Sequence, residues 1–267
     1  MESIVVLLEE ISSNSPVVTA LVMSSIAMTL TTLGGLGAVL LKNKFTPENF
    51  AKMLDLGLGF SSGVMLVASF TSLLIPSINS FGIAPTLLGF ILGALTIHIV
   101  NNLIPHEHFV RGYEGPPSGL RKLKAAWLVA FAIIIHNFPE GISIGAASAY
   151  STLNGITIGL AIGIQDIPEG LAVSLPVYAS TGRLGWALFL AWLSGLSEVV
   201  MAVPAAYLSA ISLHLLPYAM GFGAGAMVYV VSHEAIPETH RSGHEDLATL
   251  SFFLGFITML LLDSLLG

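Results

Sequence analysis

The sequence contains no cysteine. That excludes disulfides, thiolate metal sites and cysteine nucleophiles together. Charge is the next scarcity: only 9% of the 267 residues are Asp, Glu, Lys or Arg, against roughly 25% in an ordinary soluble domain. A chain so poor in charge cannot coat a water-facing surface, which rules out a soluble globular enzyme. Cations are scarcer still. Nine Lys and Arg against sixteen Asp and Glu leave a formal net charge of −7. The basic footprint of a nucleic-acid binder is missing, so no nucleic-acid partner is expected. A hydrophobic fraction of 54% excludes a disordered chain, and the mean hydropathy is +0.86. The 27 glycines and 13 prolines fit membrane helices, where neighbours re-satisfy the backbone. The opening MESIVVLLEE has no basic segment before its short apolar run, so it does not read as a cleaved signal peptide.

About 20 apolar residues are needed to cross the hydrocarbon core. Eight such runs are present, at about 17–41, 53–76, 84–105, 123–149, 155–179, 185–208, 213–237 and 247–266. The expected fold is all-α and polytopic, a single transmembrane domain over 1–267. Connections are short except 106–122, HEHFVRGYEGPPSGLRK, whose glycines, prolines and charges mark a flexible loop. Orientation follows from the cations. Lys42, Lys44, Lys52, Arg111, Arg121, Lys122, Lys124, Arg183 and Arg241 all fall at odd-numbered connections. The positive-inside rule makes that side cytoplasmic and places both termini outside, in a cell (inner or plasma) membrane.

Apart from Asp55 at the very start of the second, six acids fall inside the apolar runs: Glu140, Asp166, Glu169, Glu198, Glu234 and Asp263. Counting 1.5 Å per residue from the helix midpoints puts His136, Glu140, Gln165, Asp166, Glu169 and Glu198 within about 6 Å of the bilayer midplane. An ionised side chain there costs about 2.5–3.5 kcal/mol even on the mild insertion scale. No Lys or Arg sits in a span to compensate, so a metal cation is the favoured partner, ahead of a proton relay and of protonated packing residues.

The motifs say how a cation is held. Run four carries HNFPEG at 136–141 and run five carries QDIPEG at 165–170. Spacing of four residues puts His136 with Glu140, and Gln165 with Glu169, on one helix face, with Asn137 and Asp166 flanking. Pro139 and Pro168 each remove an intrahelical hydrogen bond, and Gly141 and Gly170 permit close helix approach. Nitrogen and oxygen ligands without thiolate suit Zn²⁺, Fe²⁺, Mn²⁺ or Cd²⁺ better than Cu⁺. Glu140, Asp166, Glu169 and Glu198 carry four negative charges, the number two divalent cations neutralise.

These paired motifs on consecutive spans, with the eight-run layout, closely resemble the ZIP (Zrt/Irt-like protein) family of divalent metal transporters, in particular its prokaryotic GufA-type branch. The resemblance covers the chain from the first run to the last. It implies a binuclear metal centre. One position would use His136, Glu140, Gln165 and Glu169, with Met65 as a soft ligand. The other would use Asn137, Asp166 and Glu198, with Glu140 and Glu169 bridging. It further implies an elevator-like movement of helices one, four, five and six against two, three, seven and eight. His233 and Glu234 are implied as release-path ligands. His106, Glu107 and His108 are candidates for transient metal binding in the cytoplasmic loop, and Asp263 for the outer mouth. The expected partners are two transported divalent ions and the lipid bilayer, with a homodimer as a further expectation and no resident cofactor. Two competing functions are weaker. An intramembrane metalloprotease needs HExxH, whereas Asn137 follows His136 and no histidine stands four residues on. A proton-coupled transporter of an organic solute is the main alternative, but it leaves Asn137 and Gln165 without a role in a relay.

Overall fold

The computed structural model describes residues 6–8, 10, 15–41, 46–103, 106–108, 112–114, 125–240 and 243–266. Among them, eight long helical segments stand where the eight apolar runs were expected. They are α1 (Pro16–Leu41), α2 (Pro47–Ala68, continued through a π-helical turn at Ser69–Leu74 into Ile75–Phe81), α3 (Ile83–Leu103) and α4 (Ala125–Tyr150). There follow α5 (Thr152–Thr181), α6 (Leu184–Ile211), α7 (Leu216–Val230, continued through a π-helical turn at Val231–Ala235 into Ile236–Thr239) and α8 (Glu245–Leu266). Six of them, α1, α2, α3, α5, α6 and α8, are long and apolar enough to cross a membrane. The chain is therefore a multi-pass membrane protein. Of the nine basic residues that carried the orientation argument, only Lys52 and Arg183 lie within the described residues.

The long loop is not wholly irregular. Strand β1 (His106–His108) pairs antiparallel with β2 (Gly112–Glu114), His106 opposite Glu114 and His108 opposite Gly112. The purely α-helical expectation is corrected to that extent. The side chains of His106, Glu107 and His108 lie outside the described residues.

The helices sort into two groups by what each packs against most extensively, with α4 also resting on α7. The first holds α1, α4, α5 and α6, with α1 against α5 and α6 and α4 against α6 and α5. The second pairs α2 with α8 and α3 with α7. Glycine makes the intimate contacts inside each group. A Cβ built on Gly34 of α1 would lie 2.0 Å from the carbonyl oxygen of Ile167 in α5. One built on Gly225 of α7 would lie 2.0 Å from the carbonyl of Phe90 in α3, and one on Gly255 of α8 the same distance from the carbonyl of Phe60 in α2. These are backbone-to-backbone contacts that only a missing side chain permits. Between the groups the character changes. The added Cβ of Gly57 (α2) would meet the ring of Pro168 (α5), and that of Gly223 (α7) the hydroxyl of Ser143 (α4), both at 2.5 Å and both side-chain atoms.

Several hydroxyls buried in the bundle are satisfied within their own helix. Thr31 donates to the carbonyl of Ala27 at 3.0 Å and Ser143 to that of Pro139 at 2.7 Å, the usual answer for Ser and Thr in an apolar helix. The helices run through the motif prolines without a break, although Pro139 and Pro168 have no N–H to give the carbonyls four residues back.

Candidate metal centre

Three helices of the first group bring their acids together. Ligand oxygens of Glu140 (α4), Asp166 and Glu169 (α5) lie within 4.8 Å of one another, and all three side chains are buried. Glu198 of α6 is fully buried and joins the cluster through Asn137, whose Nδ2 donates to Glu198 Oε1 at 3.0 Å and to Ser194 Oγ at 3.1 Å. Gln165 donates its amide to Glu140 Oε1. The second group reaches in with Ser61 of α2, which donates to Glu169 Oε1 at 2.8 Å. Met65 is buried beside it, its sulfur 3.8 Å from the Ser61 hydroxyl.

The remaining lone pairs define the site. Asn137 Oδ1, Glu140 Oε2, Gln165 Oε1, Asp166 Oδ1 and Oδ2, Glu169 Oε2 and Glu198 Oε2 are buried without a hydrogen-bond partner. Every unsatisfied atom in this cluster is an oxygen acceptor, and the amide N–H groups of Asn137 and Gln165 are already turned onto carboxylates. A buried polar atom left unpaired costs about 1–3 kcal/mol, more when charged. Seven such oxygens in and around this carboxylate cluster suit a cation that accepts several lone pairs at once. A divalent metal does that, and these donors fit one.

His136 stands one helical turn from Glu140, but its Nε2 is hydrogen-bonded to Glu234 Oε2 of α7. Glu169 is also among the carboxylates whose field reaches it. Glu234 in turn accepts from Asn101 Nδ2 of α3 through Oε1. His233, next in sequence to Glu234, faces elsewhere, its ring 5.0 Å from that of Tyr229. Asp263 accepts from Ser72 at 3.3 Å, and Ser72 also offers its carbonyl to Asn154 at 2.7 Å. A second pair lies near the opposite ends of the helices, where His244 Nδ1 is 2.9 Å from Asp55 Oδ2. Ser61, Ser194, Asn101 and the Asp55–His244 pair were not anticipated from sequence. Each is joined to its partner across helices, and only the polar Asn101–Asn102 pair in an apolar run offered a signal.

The family model described as ZIP Zinc transporter matches residues 116–263, more than half of the chain. The chain belongs to the ZIP family. Relatives of this ZIP protein include the zinc transporter ZIPB of Bordetella bronchiseptica, 39% identical over 230 residues that cover 81% of this chain and 73% of the relative. The zinc transporter GufA of Myxococcus xanthus is 39% identical over 180 residues, 67% of this chain and 70% of the relative. The human zinc transporter ZIP11 is 30% identical over 308 aligned residues, 81% of this chain and 89% of the relative. The GufA-type resemblance holds, and ZIP proteins are transporters of divalent metal rather than enzymes.

Proposed function

We propose that this ZIP protein carries divalent transition-metal ions into the cytoplasm, zinc foremost, through a binuclear site at the membrane midplane. The observation that carries the reading is the convergence of seven unpartnered buried oxygens from α4, α5 and α6. The zinc transporters to which the chain is similar support zinc as the first ion to test. Fe²⁺, Mn²⁺ and Cd²⁺ remain within reach of the same imidazole, carboxylate and carboxamide ligands. One ion would sit among His136, Glu140, Gln165 and Glu169, with Met65 alongside, and the second among Asn137, Asp166 and Glu198, the glutamates of the two PEG motifs bridging. Four carboxylates and two divalent ions then balance in charge. The organic-solute alternative is not favoured, because two of the unpartnered acceptors are amide oxygens that hold metal and carry no proton.

Transport requires that the site bind well enough to load and loosely enough to release. Mixed carboxylate and carboxamide ligands meet that condition better than a closed thiolate cage. The partition into two helix groups, locked internally by glycine against backbone and touching one another through side chains, supports an elevator movement of α1, α4, α5 and α6 against the rest. In that reading α4 and α7 also span the membrane, both termini face outward, Asp263 is the first anion met from outside, and His233, Glu234 and the His106–His108 segment line the way in. The test is zinc uptake into proteoliposomes. Glu140→Ala and Glu169→Ala should each abolish it, and uptake near the wild-type rate in either would overturn the site. Competition among the four ions in the same vesicles ranks the cargo.

A further inference from the structure

The histidine of the first motif is held by α7, a helix outside the group that carries the carboxylate cluster. Glu234 sits in the π-helical turn of α7, a local widening of the helix that recurs at functional sites. Its side chain is only 1% exposed, and both its oxygens are engaged, Oε2 by His136 and Oε1 by Asn101. Asn101 is itself buried at 3% exposure and lies on α3. The line Asn101–Glu234–His136 therefore starts in one helix group and ends in the other, crossing the seam between them.

An imidazole has one lone pair to give when neutral, on the nitrogen that lacks the proton. Histidines that ligate metal almost always donate the other N–H to a carboxylate or carbonyl, which fixes the tautomer and aims the ring. Glu234 is a carboxylate placed to accept that proton at Nε2, which leaves Nδ1 as the metal-facing atom. We infer that Glu234, fixed by Asn101, is a positioning residue for His136, and that because this bond crosses the seam, metal affinity at the midplane depends on how the two helix groups are placed. With metal at the midplane, Glu234 then acts through the histidine and is not itself a ligand. The inference rests on the transport reading and deepens it. When α4 slides relative to α7, His136 loses its orienting partner and the site loosens as it moves, which couples release to movement without altering the carboxylates.

The experiment measures equilibrium zinc binding to the purified full-length protein in detergent, with uptake recorded beside it. Outer partners of this kind are worth about 10- to 100-fold in metal affinity. Glu234→Ala should weaken the histidine-containing site by that factor while two ions still bind at saturation. Glu234→Gln, whose side-chain oxygen still accepts from Nε2, should lose less, and Asn101→Ala should fall in the same direction. The deciding arm is a cycle with His136→Ala. In that background Glu234→Ala should have no further effect, since residues acting as one unit are not additive. An equal loss with and without His136, or a loss of one bound ion in Glu234→Gln, would overturn the positioning role and make Glu234 a ligand in its own right. Tighter binding in Glu234→Ala would also overturn it. Failure of the underlying reading looks different: Glu140→Ala and Glu169→Ala would then bind zinc as the wild type does.

Discussion

Two glycines three residues apart on α1 should respond to alanine with opposite signs. Gly34 faces α5, where an added Cβ would lie 2.0 Å from the carbonyl oxygen of Ile167 and 2.8 Å from its carbon. Contacts become ordinary only near 3.4 Å, so α1 and α5 must part by about 1.4 Å, the difference of those two distances. Neither atom belongs to a flexible side chain, so no rotamer change relieves the clash. Overpacking of this kind costs about 1–3 kcal/mol. Ile167 lies between Asp166 and Pro168, and a metal site tolerates errors of only about 0.5 Å in its ligands. Gly34→Ala should therefore lower stability and cut zinc uptake at least tenfold. Gly37 has nothing within 4 Å of its added Cβ. There alanine removes only glycine's backbone entropy and should stabilise by about 0.5–1 kcal/mol. The assay is unfolding by SDS titration in mixed micelles, followed by the fluorescence of the three tryptophans, with uptake measured on the same preparations. Equal stability of the two variants, or a Gly34→Ala protein with wild-type uptake, would refute the claim that backbone contact between α1 and α5 sets the site.

Two other substitutions probe the ligands. Ser61→Ala removes the 2.8 Å hydrogen bond to Glu169 from the opposite group. Hydrogen bonds to charged groups are worth about 1.5–3 kcal/mol, so the KM for zinc uptake should rise by about tenfold or more, and an unchanged KM would show that Glu169 needs no such support. Glu198→Gln and Asp166→Asn each remove one charge from the second metal position. Equilibrium dialysis with elemental analysis should find one zinc per chain in place of two, with residual transport, and two ions still bound would displace that position from these residues.

The helix plan was legible in the sequence because bilayer thickness dictates both run length and hydropathy. The ends were less so. The second run was expected at 53–76, yet α2 begins at Pro47, capped by Thr46, whose side chain accepts from the Asn49 amide, and extends to Phe81. Apolarity reports the hydrocarbon core, whereas a helix continues into water wherever a cap and good helix formers carry it. Glu48 and Lys52 belong to that polar extension. Within the site, the four-residue spacing disclosed which ligands share a face, since that is a property of a single helix. What one helix does to another was hidden: Ser61 reaches Glu169 across 108 positions and Asn101 reaches Glu234 across 133. His136 is the instructive case, since its motif predicts a ligand while its observed hydrogen bond is to α7. The β1–β2 pairing was missed because the glycines and prolines of 106–122 were read as irregularity, whereas both prolines follow the paired segments.

The pairing of α2 with α8 and of α3 with α7 is nested like brackets, and it sets an order of assembly. As the chain is made, α2 and α3 enter the bilayer long before the partners that will cover their glycine faces exist. The four acidic side chains of α4, α5 and α6 enter in between, into a half-built structure open on the side that α7 and α8 will close. The last helix to arrive is thus the one that completes the earliest unfinished interface. Nascent chains halted before α8 should expose the glycine face of α2 around Gly59 and Gly63, which makes the arrival of α8 the point at which quality control can tell a closed bundle from an open one.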